Sequence, residues 1–178
     1  TLGFPVGVEV PQSPFSGSNP FISQDPPRHD QQRKTVAGVM APPNLAKLEP
    51  LIRERTCLVL DALPDNEPFD WVDTVSIELT TMMLATLFDF PFEDRRKLTR
   101  WSDVVFAIPE PGGIVETQEQ KRDEFVECVQ YFARLWDERR VTPGDDLVSM
   151  LAHGEATKHM VPAEHLGNLL LLIVGGND

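Results

Sequence analysis

Cysteine is scarce in this chain: Cys57 and Cys128 stand far apart among 178 residues, and neither belongs to a Cys-x-x-Cys pair. A disulfide framework and a zinc knuckle are thereby excluded, and a reducing cytoplasm is the expected compartment. Long apolar runs are also missing. The longest, residues 169–174, falls far short of the ~20 residues a membrane-spanning helix needs, and no signal-peptide pattern opens the sequence. Basic residues are few, 16 Lys and Arg against 28 Asp and Glu, for a net charge of -12. Such a surface repels nucleic acid and anionic lipid, so the expected partners are small molecules or basic proteins. No Glu-x-x-His pair occurs, which removes the helical di-iron site, and no internal repeat is visible. What is present is a globular composition, 41% hydrophobic and 25% charged, sufficient for one core or part of a larger domain.

Proline punctuates the chain. Pro5, Pro11, Pro14 and Pro20 make the first two dozen residues an irregular loop. Asp25-Pro26-Pro27 then reads as a helix start, with Asp25 as the side-chain cap and a helix to about Met40. The break at Ala41-Pro42-Pro43-Asn44 restarts a helix to about Leu63, with Pro50 as a joint or a first turn inside it and Leu45, Leu48, Leu51, Ile52, Leu58, Val59 and Ala62 at helical spacing. Residues 67–72 suggest a short strand, 73–87 an apolar helix closed at Phe90-Pro91, and 93–106 an amphipathic helix. A Pro- and Gly-rich loop fills 108–113. A long helix over 117–140 carries Phe125, Cys128, Phe132, Leu135 and Trp136 on one stripe; 145–151 is a short helix with acids in its first turn, and Pro162 opens the last helix. Both cysteines are expected in the core of their helices. The class is mainly α, with six or seven helices and at most one strand.

Two segments carry chemistry. His29 and Arg33 stand at i and i+4 just after a helix start, so an imidazole and a forked guanidinium share one face suited to a carboxylate or phosphate. A capped surface helix with the same residues facing water is the plain alternative. The last helix, apolar all round through Leu166, Leu169, Leu170, Ile173 and Val174, ends in Gly175-Gly176-Asn177-Asp178. Either the glycines cap it, or the helix continues and they open a gap where a flat cofactor or small ligand approaches the backbone. His153, Glu155, His159 and His165 fit no closed zinc pattern.

Taken together, residues 25–33 as Asp-Pro-Pro-x-His-x-x-x-Arg and residues 175–178 as the start of (A/G)-G-x-(D/E)-T resemble the cytochrome P450 superfamily of heme-thiolate monooxygenases, with residues 145–151 at a fitting position between them. Residues 21–27, 71–80 and 87–91 resemble the bacterial alkane and fatty-acid terminal hydroxylases of that superfamily. The resemblance implies the middle portion of the P450 fold, from the propionate-binding helix to the first half of the central, oxygen-binding helix. Residues 1–178 would then be a partial domain lacking the N-terminal sheet and the C-terminal cysteine ligand, inactive alone. The Glu-x-x-Arg strings at Glu93 and Glu119 lack the family's downstream elements and are chance matches. The implied cofactor is heme b (iron protoporphyrin IX), its propionates held by His29 and Arg33. Gly175 and Gly176 would make room for dioxygen and substrate, and Asp178 would serve proton delivery. Ile108, Leu171 and Leu172, with the first loop, would line the substrate. Electrons would come from NAD(P)H through an FAD ferredoxin reductase and an iron–sulfur ferredoxin. The substrate would be a small apolar molecule, an alkane or fatty acid, with a terpenoid as the alternative and a non-catalytic α-helical interaction module as the rival of another class.

Overall fold

The computed structural model describes residues 19–177, and they form seven α-helices, with longer connections over 62–77 and 107–117 and short turns elsewhere. These are α1 (Arg28–Ala37), α2 (Pro42–Asp61), α3 (Glu78–Phe88), α4 (Arg96–Phe106), α5 (Gln118–Val141), α6 (Leu147–His153) and α7 (Pro162–Asn177). A mainly α class is therefore what the chain adopts. No described helix is long and apolar enough to cross a membrane.

The helices meet where their apolar stripes face inward. Phe132, Leu135 and Trp136 of α5 pack on Leu169, Leu170 and Ile173 of α7, with Leu98 and Trp101 of α4 and Val148 and Leu151 of α6 in the same core. Phe88 meets Phe132, and Phe90 meets Trp101, both edge to face with ring centroids 6.1 and 6.0 Å apart, the geometry that ring quadrupoles favour. Local chemistry sets several helix starts. Thr117 accepts the Gln120 N–H at 3.0 Å to begin α5, and Asp146 accepts the Ser149 N–H at 2.9 Å to begin α6. Asp146 is buried, and its charge is answered by Arg139 Nε at 3.0 Å; the same guanidinium pairs with Asp89, which ends α3 in a left-handed turn.

Four expectations need correction. Residues 67–72 form no strand: the chain there is irregular to Asp70, then enters a π-helical turn, Val72–Ile77, that runs directly into α3. The helical period of the following apolar residues extends backward over the β-branched ones. Asp25 does not cap α1 with its side chain, because it lies two residues ahead of the N-cap position, Pro27; its backbone carbonyl accepts the His29 N–H at 3.2 Å instead. Pro50 makes no joint, since α2 is continuous through it. Cys128 is buried as expected, but Cys57 is exposed, for α2 buries only Val59 along its length. Val59 forms a small separate cluster with Val75 and Met82.

Candidate functional site

Helix α1 presents His29 and Arg33 one turn apart on the side facing α7. The His29 Nδ1 lies 2.8 Å from Asp30 Oδ1, and its ring sits 6.3 Å from that of Phe21, in the 3-10 turn Phe21–Ser23 just before α1. Arg33 has no ion-pair or hydrogen-bond partner among the described residues. Arg33 is exposed, so its guanidinium is free to meet water or an anionic group brought to this face.

Both side chains line a half-open cavity of about 750 Å³ between the Phe21 turn, α1, α3 and α7, to which Ile52 of α2 and Leu147 of α6 also contribute. Its walls are apolar almost throughout: Val36 from α1, Met83, Leu84 and Leu87 from α3, Leu171 and Leu172 from α7. Gly175 and Gly176 complete the α7 wall. They do not cap the helix, which continues through both to Asn177. A Cβ built on Gly175 would meet nothing within 4 Å, whereas one on Gly176 would stand 2.6 Å from Leu84 Cδ2. At Gly176 the missing side chain lets α7 approach α3; at Gly175 it leaves open space on the cavity wall.

His29, Arg33, Gly175, Gly176, Leu171 and Leu172 are thus brought together in one chamber from two helices far apart in sequence. Ile108 is not: it is 82% exposed and does not line the cavity. The chain leaves α4 at Ala107 in an extended conformation, and Lys121 of α5 holds the carbonyls of Val105 and Ala107 at 3.1 and 2.8 Å, leaving the Ile108 side chain in solvent. Asp178 lies outside the described residues, as does the first loop up to residue 18. The four residues weighed for a metal are engaged elsewhere or dispersed: His153 Nε2 contacts the Arg139 carbonyl at 2.8 Å, Glu155 pairs with Lys158, and His165 stands edge-on to Trp136. Among the described residues no three His, Cys, Asp or Glu are placed to hold a metal ion.

The sequence reading missed Phe21 and the α3 wall. A signal existed for the latter, because Leu79, Met83 and Leu87 recur at i, i+4 and i+8 on a face distinct from that of Met82, which turns toward α2. Phe21 carried no such signal, since its place depends on a contact with α7 across most of the chain.

A chamber with a cation at one end, apolar walls and a backbone gap can take an apolar group that carries a negative charge. The chain is 31% identical over 160 residues to linalool 8-monooxygenase of Pseudomonas putida, covering 89% of this chain and 39% of that protein. It superposes on the solved structure of cytochrome P450-153 from Novosphingobium aromaticivorans with a TM-score of 0.73 and 42% identity, over 100% of this chain and 43% of that one. The chain belongs to the cytochrome P450 family. A second P450 structure, CYP153D17 from a Sphingomonas species, matches with a TM-score of 0.72 and 48% identity over 89% of this chain and 40% of that one. No family model matches the sequence. This P450 chain spans about two fifths of the length of the curated relatives it matches.

Proposed function

We propose that this chain is part of a heme-dependent monooxygenase that inserts one oxygen atom of O2 into a C–H bond of an apolar substrate, the terminal hydroxylation of alkanes or fatty acids. One observation carries the reading: a single apolar chamber gathers the unpaired Arg33 and His29 of α1 and the Gly175 gap of α7. Those residues fit heme b. Arg33 and His29 would hold its propionates, a charge-assisted contact worth roughly 1.5–3 kcal/mol each when partly buried. The open wall at Gly175 admits a flat group where any Cβ would intrude. When bound through a thiolate, heme supplies the oxidative chemistry, and the protein supplies orientation, exclusion of water and protons. The thiolate would come from a region beyond this chain, since neither Cys57 nor Cys128 lines the chamber and burial pushes the Cys128 thiol far up. This accords with a partial domain that does not turn over alone.

For the substrate, Leu171, Leu172, Met83 and Leu87 offer an uncharged wall, and Arg33 is the only cation lining the chamber among the described residues. That lining suits a hydrocarbon chain, as does the likeness of residues 21–27, 71–80 and 87–91 to alkane and fatty-acid hydroxylases. The name of the Pseudomonas putida relative favours a terpenoid alcohol as the second reading. Asp178, which lies outside the described residues, would serve proton delivery. Electrons would come from NAD(P)H through an FAD reductase and an iron–sulfur ferredoxin in the cytoplasm.

The test uses the complete protein. A carbon-monoxide difference spectrum typical of a thiolate-bound heme, and a spectral response to alkane or fatty acid stronger than to linalool, are expected; a larger response to linalool would move the substrate to the terpenoid class. Arg33→Ala should release heme to an apoglobin trap about tenfold faster. Unchanged release from that variant would remove Arg33 from the propionate site.

A further inference from the structure

Helix α7 buries two polar side chains, His165 near its start and, among the leucines further on, Asn168, which is 0% exposed. A primary amide among leucines costs of order 1–3 kcal/mol unless its polar atoms are bonded, so its partners identify what it is for. Its Oδ1 accepts the backbone N–H of Phe21 at 2.7 Å, across 147 positions of sequence. Its Nδ2 reaches Gln32 Oε1 at 3.3 Å and Met160 Sδ at 3.1 Å. Gln32, 1% exposed on α1, also receives Gln24 Nε2 at 3.4 Å, and Gln24 donates to the Asn19 carbonyl at 2.8 Å. Three neutral amides therefore join α7, α1 and the turn that precedes α1.

The Phe21 N–H opens a 3-10 turn, where no intrahelical acceptor exists for it. Asn168 is what satisfies it. The ring attached to that backbone is 8% exposed, stands 6.3 Å from the His29 ring and forms part of the chamber wall. The amide spine thus lies behind the wall and fixes it from the far side.

We propose that Asn168 is a positioning residue: by tethering the Phe21 backbone it holds the Phe21 ring against His29 and sets the width of the chamber, selecting a slender chain over a bulky ring. This rests on reading the cavity as the chamber that heme and substrate share. Release of the tether lets the turn swing outward, widening the pocket without touching any residue that contacts the substrate's reacting end. Asn168→Leu removes all three of these hydrogen bonds while keeping a side chain branched at the same carbon. Asn168→Asp keeps an acceptor for the Phe21 N–H, and its buried carboxyl, protonated, donates to Gln32.

The complete heme-loaded protein is titrated with dodecane and with cyclododecane, and amide exchange is followed in parallel. The parent should prefer dodecane. Asn168→Leu should lose roughly three- to tenfold of that preference, the range of one neutral hydrogen bond, as Phe21→Ala does; the double variant should lose no more than either, and Asn168→Asp should restore the parent ratio. The Phe21 amide should exchange slowly in the parent and several-fold faster in Asn168→Leu, whether or not heme is bound. A preference unchanged in Asn168→Leu, additive losses in the double variant, or a Phe21 amide that already exchanges freely in the parent overturns the proposal. A parent that holds no heme would instead defeat the reading of the chamber, while the exchange measurement still decides the tether.

Discussion

Gly175 and Gly176 are neighbours on α7, yet a methyl group meets opposite surroundings at the two positions. In a helix interior Gly is less favourable than Ala by about 0.8–1 kcal/mol. At Gly175 nothing lies within 4 Å of the added Cβ, so Gly175→Ala should raise the stability of the heme-free protein by up to about 1 kcal/mol. The same methyl projects into the chamber, so heme or ligand affinity should fall. At Gly176 the Cβ would stand 2.6 Å from Leu84 Cδ2, so the Leu84 side chain, buried at the chamber wall, must shift to admit it. Overpacking there costs about 1–3 kcal/mol and outweighs the helical gain. Urea melts of both variants check the signs: equal shifts in the same direction would mean that the two glycines do not differ in role. His29 and Arg33 were legible because a spacing of four residues puts them on one face whatever α1 packs against. Asn168 and Phe21 were not, since a hydrogen bond across 147 positions has no local pattern.

At the scale of elements, caps and breaks were readable where the chemistry is local. Thr117, Asp146 and Pro162 each open a helix at or within one residue of where their side chains or fixed φ dictate. The stretch at 67–72 was not, because β-branched and aromatic residues there fit either a strand or the π-helical turn that leads into α3, and packing of Val75 on Val59 and Met82 decides the matter. The segment between α4 and α5 was expected as a bare Pro- and Gly-rich loop, but it is fastened. Gly112, at φ 75°, lets a turn close with Gly113 N donating to Glu110 O at 3.0 Å, and Glu110 N donates to Val115 O at 3.2 Å. Arg100 grips Glu124 at 2.7 Å and the Ile114 carbonyl at 2.8 Å, while Val115 is fully buried. Lys121, whose pKa burial holds below the usual lysine value, closes the end of α4 through the Val105 and Ala107 carbonyls. Lys121→Met keeps the stem and removes those bonds. Amides at the end of α4 and in the following turn should then exchange about tenfold faster, with α5 and α7 unaffected. Exchange that stays at the parent rate would show that the turn closes without Lys121.

Across the whole molecule, one core built by α3 to α7 carries most of the burial, and the chamber lies along its α1 side. Helix α2 buries a single residue, Val59, against α3, and Arg55 reaches Thr86 Oγ1 at 2.5 Å as a polar strut between the two helices. In the main core α5 and α7 meet at His165, and there the stability of the molecule becomes sensitive to acid. His165 is 8% exposed, edge-on to Trp136 with centroids 4.1 Å apart, and its Nδ1 is buried without a partner among the described residues. Burial pushes its pKa down to about 4, with the nearby Arg140 acting in the same direction and Asp137 against it. In the unfolded chain the ordinary value of about 6.5 returns. Between those two values the unfolded state binds a proton that the folded state refuses, so this contribution is fully present above pH 6.5, is lost as pH falls toward 4, and changes no further below that. The full difference corresponds to at most about 3 kcal/mol. Carboxylates titrate over part of the same range, so the informative quantity is the difference between the parent and His165→Phe, which keeps an aromatic edge against Trp136. In urea unfolding at pH 7.5 the two should lie within about 1 kcal/mol of each other; at pH 4.5 the Phe variant should gain on the parent by about 2 kcal/mol. Stability profiles that run parallel from pH 7.5 to 4.5 would mean that His165 takes up its proton without cost to the packing of α5 on α7.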